Sequence, residues 1–305
     1  MKGKTKQTII TTSIIIVAIF ITIAILTIIL IEILNGEEIE LTQLKNNTER
    51  QMMGYIIKTK GTKVIVIDGG LQGDAQNLIS KINEYGGKVD TWFLTHPHMD
   101  HVQAFIEIVE NTDIEINQIY VTLNDLDWYK EYEKDRIQEI EDFFTTLENP
   151  KIKDKVEQVN LGQIIKIDNI KCEILGIKNP EITTNPVNNS SMVIKMKVNN
   201  KSILFLADTG EESGNKLLKN QKEKLKSDIV QMAHHGQNGA TEELYKQINP
   251  HICLWPTPEW LWDNNPGTGY NTGNWKTIET RTWMQNLGVK TNYIEKDGDT
   301  IIKIK

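Results

Sequence analysis

The 305-residue chain is short of cysteine, of linkers and of positive charge. Its two cysteines, Cys172 and Cys253, lie 81 positions apart with no CxxC pair and no zinc-ribbon spacing. A disulfide framework and a cysteine-based metal finger are therefore excluded. The pair reads as buried small apolar residues, with a single structural disulfide as the alternative. No Pro- or Gly-rich run divides the sequence, and no internal repeat or low-complexity tract occurs beyond the N-terminal apolar run, so one catalytic-size domain is the simplest organisation. Acidic residues outnumber basic ones, 41 to 34, for a net charge of −7. A surface of that sign gains little from phosphate counterion release, which disfavours broad nucleic-acid binding while leaving room for a local basic groove. With 39% hydrophobic and 25% charged residues, the composition is that of a folded protein.

What stands out first is the amino-terminal run. Gln7 to Ile31 holds 25 residues without a charge, twelve of them isoleucine. About 20 apolar residues cross a bilayer, so 7–34 is expected to be one transmembrane signal anchor. A cleaved signal peptide is the rival reading, but the run exceeds the usual apolar length and no small-x-small site follows it. Lys2, Lys4 and Lys6 precede the run, and Glu32, Glu37, Glu38 and Glu40 follow it. This polarity predicts a cytoplasmic tail at 1–6 and the remaining chain outside, as a single-pass protein of the cell membrane. Without the three lysines and Glu32, the net charge falls from −7 to −9. Residues 35–51 are largely polar and read as a stalk, which leaves 52–305 as the folded domain.

Within that domain, short apolar runs alternate with helical periods. Met52–Thr59 and Lys63–Asp68 predict a hairpin turning near Gly61. Asp74–Tyr85 predicts a helix stopped by Gly86-Gly87, and Asp125–Leu147 one long charged helix. A second group of strands spans Val156–Val159 to Ser202–Ala207, followed by helices near Lys216–Lys226, Glu242–Ile248 and Thr277–Leu287, with strands among and after them. Two strand-rich halves, each with helices, predict an α/β fold of two sheets packed face to face with helices outside.

Chemistry concentrates in Thr95-His96-Pro97-His98-Met99-Asp100-His101, where three of the six histidines fall within six positions. Imidazole and carboxylate supply the nitrogen and oxygen donors that zinc and similar ions take. His96 and His98, two apart in an extended turn, can point to one side, while Asp100 and His101 at a helix start can turn towards a second ion.

The pattern His-x-His-x-Asp-His after a strand resembles the metallo-β-lactamase superfamily, over about Met52 to Lys305. Ile67-Asp68-Gly69-Gly70, Leu204-Phe205-Leu206-Ala207-Asp208 and Met232-Ala233-His234-His235-Gly236 continue the resemblance in chain order. It implies an αββα sandwich with a two-metal site at the edge of the sheets. It also implies roles: His96 and His98 on the first metal, Asp100, His101 and His235 on the second, and Asp208 bridging them. His234 is the alternative to His235, and whichever is left over can orient substrate. Asp68 is either a partner behind a histidine ligand or a turn residue. His251, beside an apolar strand, reads as structural.

One departure matters. Many family members place a third histidine for the first metal about twenty residues before the bridging aspartate. Here no histidine lies between His101 and His234, and Asn188-Asn189-Ser190 occupies that interval. Asn189 is taken as the residue facing substrate or backing a ligand there. A similar replacement, and a His-His-Gly loop, occur in the branch resembling the extracellular nuclease-like domain of bacterial DNA-uptake channels. The expected cofactor is two zinc ions, with manganese as the alternative and the first site weak. His98 argues against an oxygen-reducing di-iron centre.

Metal-bound hydroxide, oriented by Asp100 and Asp208 as catalytic carboxylates, makes hydrolysis the expected reaction class. A phosphodiesterase acting on a small-molecule or cell-envelope substrate is the leading expectation. Nucleic acid is a further candidate that charge disfavours, and a surface phosphocholine esterase another by family analogy. A carboxylic-ester, thioester or lactone hydrolase is the alternative, and a degenerate metal-binding surface module the other. Trp255, Trp260, Trp262, Tyr270, Trp275 and Trp283, six aromatics in 29 residues, read as loop packing before a stacking platform.

Overall fold

The computed structural model describes residues 16–27 and 38–305. The expected tail at 1–6 lies outside the described residues, as does most of the expected anchor at 7–34. Residues 16–27 are helical with exposed side chains, and among the described residues no helix is long and apolar enough to cross a membrane.

Two seven-stranded sheets form the body. The first runs, edge to edge, Thr300–Ile304, Ile39–Gln43, Gly54–Lys58, Val64–Asp68, Thr91–Leu94, Ile119–Val121 and Val156–Gln158. The second runs Thr291–Ile294, Ile252–Trp255, Ile229–Gln231, Lys201–Phe205, Val193–Val198, Ile170–Gly176 and Ile164–Ile167. In each sheet an antiparallel part joins a parallel part at a central strand.

Strand periodicity explains the layering. Along Val64–Asp68, Ile65 and Ile67 enter the apolar layer between the sheets, where they meet Phe205, Ile194 and Cys172, while Val64 and Val66 point the other way. That outer face is covered by helices Ala75–Glu84, Met99–Asn111 and Ile137–Leu147, through Leu78, Phe105 and Phe143. On the second sheet, helices Glu211–Leu225, Glu242–Ile248 and Thr277–Asn286 supply Leu217, Leu244 and Met284. The four layers are thus helix, sheet, sheet, helix. Central strands bury both faces and so read as continuous apolar runs.

Two expectations are corrected. The expected stalk at 35–51 does not hold over its described part, 38–51: Ile39–Gln43 is a buried strand between Gly54–Lys58 and Thr300–Ile304. Ile39 and Leu41 alternate with polar residues as a strand requires, but the outer partner that reveals the pairing stands at the other end of the sequence. The predicted helix 125–147 is broken into Leu126–Tyr132, a turn at Lys134–Arg136, and Ile137–Leu147. At the break, Glu133 leaves helical geometry with φ −134° and ψ 47°. The two cysteines are free and buried, which agrees with their reading as small apolar residues and sets aside the alternative disulfide.

Candidate metal centre

Chemistry-bearing loops leave the carboxyl ends of central strands in both sheets, where α/β folds gather polar groups. Asp68 ends Val64–Asp68, His96 and His98 follow Thr91–Leu94, Asp208 follows Lys201–Phe205, and the His234-His235 pair follows Ile229–Gln231. Two backbone bonds stitch these loops together. Met192 donates to the Thr95 carbonyl (2.9 Å), and His234 donates to the Ala207 carbonyl (2.9 Å).

Two ligand groups result. His96, His98 and Asp208 form one, and Asp100, His101 and His235 the other, with the donor atoms of each group within 4.8 Å of one another. Asp208 stands between them. Its Oδ2 is 3.8 Å from His96 Nε2 and 3.5 Å from His235 Nε2, while its Oδ1 is 3.3 Å from His101 Nε2. Asp100 Oδ2 lies 3.2 Å from His235 Nε2.

The back of each ring fixes which nitrogen faces inward. His101 Nδ1–H donates to Asp68 Oδ2 (2.6 Å), and His235 Nδ1–H donates to the Pro256 carbonyl (2.9 Å). The Thr95 hydroxyl gives its proton to Asp68 (2.7 Å), so its oxygen accepts from His96 Nδ1–H at 3.1 Å. These three imidazoles are therefore held through Nδ1 with Nε2 turned to the centre, the atom that a metal takes. Asp68 and the Pro256 carbonyl thereby orient ligands from behind.

The Nε2 atoms of His96, His98, His101 and His235, and Asp208 Oδ1, are buried without a hydrogen-bond partner. Five such orphans converging on one space would be costly, because an unsatisfied buried polar group loses its hydration without replacement. Divalent ions satisfy all of them, and the mixed nitrogen and oxygen donors suit zinc or manganese. Charge agrees with this. Burial alone would keep His101 neutral, but the Asp208 and Asp68 carboxylates outweigh it and raise the ring to about 10. The cluster attracts positive charge strongly enough to hold protons where no ion sits.

Backbone geometry marks the same place. Asp68, Ala207, His234 and His235 all have positive φ, at 52°, 48°, 50° and 55°. Residues with side chains hold that region at a cost of order 1–3 kcal/mol each, which the surroundings must impose. Here Gln231 imposes it on the Asp208 turn. Its Oε1 accepts from the Leu206 and Ala207 amides (2.8 and 2.7 Å), and its Nε2 donates to the Ala207 and Met232 carbonyls (3.2 and 2.7 Å). Gly236, at φ 76°, passes so close to Trp255 that a Cβ would stand 2.5 Å from its ring.

The remaining sequence candidates separate clearly. His234 stands beside the ligand set: its Nδ1–H donates to the Asn238 carbonyl (3.2 Å), and its Nε2 accepts from the Asn188 amide (3.1 Å), 3.8 Å from Asp208. Asn189 is displaced from the centre, a correction to the choice made within Asn188-Asn189-Ser190. Its amide donates to the Thr184 carbonyl and to Glu212, and its oxygen accepts from the Ser213 amide. Asn188 is the one that reaches the centre, and its Oδ1 is another buried orphan. His251 is exposed at the start of its strand.

Sequence reasoning missed Glu133, whose Oε1 lies 3.5 Å from His98 Nε2, as well as Ser191 and Gln231. A polar residue inside the apolar run Ile229–Met232 was the only signal of Gln231. A cavity of about 350 Å³ opens on Asp100, walled by Arg50, Arg136, Glu139 and Trp260. A larger one of about 580 Å³ lies across Trp260, contains the buried Glu295 in its wall, and touches none of the ligands. Most of the aromatic segment is packing: Trp255 is buried edge-on to Trp262, and Trp260 meets Trp275.

Comparison with known proteins places this geometry. The sequence profile of the metallo-beta-lactamase superfamily matches residues 48–252. ComE operon protein 3 of Bacillus subtilis (strain 168) is 29% identical over 100 residues, 32% of this chain but 12% of that protein. The chain thus matches only a small part of that relative's length. Among solved structures, the metallo-beta-lactamase fold protein YhfI of Bacillus subtilis aligns with TM-score 0.52 at 12% identity, over 88% of this chain and 100% of that one. Unliganded yeast PDE1 aligns with TM-score 0.52 at 12% identity, over 87% and 99%. CmlA, a diiron β-hydroxylase from Streptomyces venezuelae, aligns with TM-score 0.54 at 12% identity, over 88% and 54%. These structures share the fold.

Proposed function

Because this chain belongs to the metallo-β-lactamase superfamily, and because its two ligand groups share Asp208, we propose that it is a metal-dependent hydrolase, specifically a phosphodiesterase. The observation that carries the reading is the set of four inward Nε2 atoms and Asp208 Oδ1, buried without partners. When bound, two ions polarise a phosphoryl oxygen and bring the pKa of water near 7. The chain's own residues do the rest. Asp100 and Asp208 hold a proton acceptor beside the space where a nucleophile would sit. His234, neutral and tied to Asn188, places a second donor or acceptor at the same edge. Burial lowers the His234 ring below its usual range despite the Asp208 charge, so it stays neutral near pH 7. Arg50 and Arg136 at the mouth favour an anionic substrate over a neutral ester.

We further infer that residues 7–34 anchor the protein in the cell membrane with the hydrolase domain outside. The support is the uncharged run from Gln7 to Ile31, with lysines before it and glutamates after it.

Metal analysis of the full-length protein, paired with turnover of bis-p-nitrophenyl phosphate under added zinc or manganese, tests the activity. About two ions per chain, with turnover that chelation removes and that His98→Ala and Asp208→Ala each abolish, is the expected result. Turnover that survives chelation or both substitutions would sink the reading. For the anchor, protease added to intact cells should remove the folded domain, and carbonate should fail to extract the chain from membranes.

A further inference from the structure

The chain has three arginines against thirty-one lysines, and two of the three, Arg50 and Arg136, stand on the wall of the cavity that opens on Asp100. The third, Arg281, is fully employed: it stacks on Trp262 at 4.0 Å and donates to the Trp262 carbonyl at 3.0 Å. The two in the cavity are not. Among the described residues the Arg50 guanidinium makes no hydrogen bond or ion pair within 4 Å, and the charge it bears on is that of Asp74. Arg136 is half-exposed, with one loose partner, Glu133, at 3.9 Å.

Independent segments aim both arginines at this place. The stretch carrying Arg50 is pinned from several sides. Asn47 donates to Asp74, the Trp260 indole donates to the Glu49 carbonyl (2.9 Å), and Met53 donates to the carbonyl of Asp100 itself (2.9 Å). Arg136 sits in the short turn between helices Leu126–Tyr132 and Ile137–Leu147, three residues after Glu133, whose carboxylate lies 3.5 Å from His98 Nε2. Two guanidinium forks, Arg50 with only the more distant charge of Asp74 and Arg136 with Glu133 at 3.9 Å, therefore line one cavity of about 350 Å³ together with Asp100. Glu139 also faces it and offsets one positive charge, while the charge of Asp100 would be taken up by a metal.

Lysine serves for point-charge attraction, and apart from Arg281 this chain uses it elsewhere. A planar fork is needed where two oxygens of one anion must be gripped together. We propose that Arg50 and Arg136 form a two-armed clamp for a second phosphate of the substrate, adjacent to the phosphodiester held at the metal centre, with Trp260 as a further wall of the cavity. The inference rests on the phosphodiesterase reading and adds to it that a substrate with two neighbouring phosphates is preferred. The chemistry is shared by nucleotide and polyol-phosphate backbones.

The test compares kcat/KM of the full-length, metal-supplied protein for p-nitrophenyl thymidine 5′-phosphate and for its 3′-phosphorylated counterpart, which differ by one phosphate. The wild type should favour the second about tenfold or more at low salt. Arg50→Gln and Arg136→Gln should each bring that ratio towards 1, Arg136→Lys should keep part of it, and Lys166→Gln, an equal charge change on an exposed strand residue, should leave it intact. A wild-type ratio near 1, a ratio that survives both glutamine variants, or equal loss in Lys166→Gln overturns the clamp. Calorimetric binding of thymidine 3′,5′-bisphosphate against thymidine 5′-monophosphate needs no turnover. If neither ester is hydrolysed, the phosphodiesterase reading fails on its own, while tighter bisphosphate binding lost in Arg50→Gln still supports the clamp and equal binding refutes it. Oligothymidylate and short poly(glycerol phosphate), as competitors, tell the two backbones apart. Competition by either that Arg50→Gln abolishes supports the clamp, and competition by neither counts against it.

Discussion

Glu295 allows a quantitative test of how burial acts on this fold. It follows strand Thr291–Ile294, is 1% exposed, and has no well-aligned hydrogen-bond donor on either oxygen, although Asn46 lies near. Burial pushes its carboxyl up to about 8, against the lowering influence of His235 and Asn46. In the unfolded chain it titrates near 4.5. Between those values the folded state keeps a proton that the unfolded state has released. The native protein thus binds more protons, and its stability falls as pH rises. The contribution is fully present below about 4.5 and is lost as pH passes through about 8, at about 1.4 kcal/mol per pH unit and about 5 kcal/mol across the whole gap. Glu295→Gln keeps the shape and removes the titration. Urea denaturation of the metal-free protein, followed by the fluorescence of its seven tryptophans, should find the variant level with or slightly below the wild type at pH 5 and several kcal/mol above it at pH 9. If the stability difference between the two proteins shifts by less than about 1 kcal/mol over that range, Glu295 is not held protonated by burial and the reasoning fails.

Three further outcomes are expected. Asp68→Asn leaves His101 without its carboxylate partner, so metal affinity should drop about 10–100-fold in a competitive chelator titration, with the fold retained by circular dichroism. Gly236→Ala forces a Cβ against the buried Trp255 ring at positive φ and should cost about 3 kcal/mol or more in chemical denaturation; a loss under about 1 kcal/mol would show that the loop can relax. Gln231→Leu strips hydrogen bonds from the Leu206 and Ala207 amides and should lower stability by roughly 3 kcal/mol, weakening metal binding as the Asp208 turn loosens; unchanged metal affinity would separate the turn from the site.

Legibility in the sequence followed the distance over which each feature is encoded. His96, His98, Asp100 and His101 share one loop, so local spacing was enough to group them. Thr300–Ile304 was readable because its isoleucine-rich run follows the polar turn Asp297-Gly298-Asp299. Asp208 and His235 come from the other sheet and were located through family order, not periodicity. What was hidden depends on three-dimensional neighbours. Ile39–Gln43 is a strand because Thr300–Ile304 lies beside it, and nothing near residue 40 announces that partner. Charge periodicity made 125–147 look continuous, yet the chain breaks at Glu133, where a carboxylate is brought to His98. Choosing Asn189 over Asn188 was a one-residue question of which side chain the turn at Asn188–Ser190 sends to the centre, and backbone direction alone decides it.

The pairing of the first described strand with the last also sets a timetable. During synthesis, Ile39–Gln43 emerges early and can join Gly54–Lys58, but its other edge stays open until Thr300–Ile304 has been made. Ile39 and Leu41 are buried and Ile302 is nearly so, so the nascent chain carries an unsealed, apolar sheet edge until Thr300–Ile304 is made. Closure of this sheet therefore waits for Thr300–Ile304, and a chain interrupted before residue 300 would retain both ligand groups yet leave that edge exposed to aggregation.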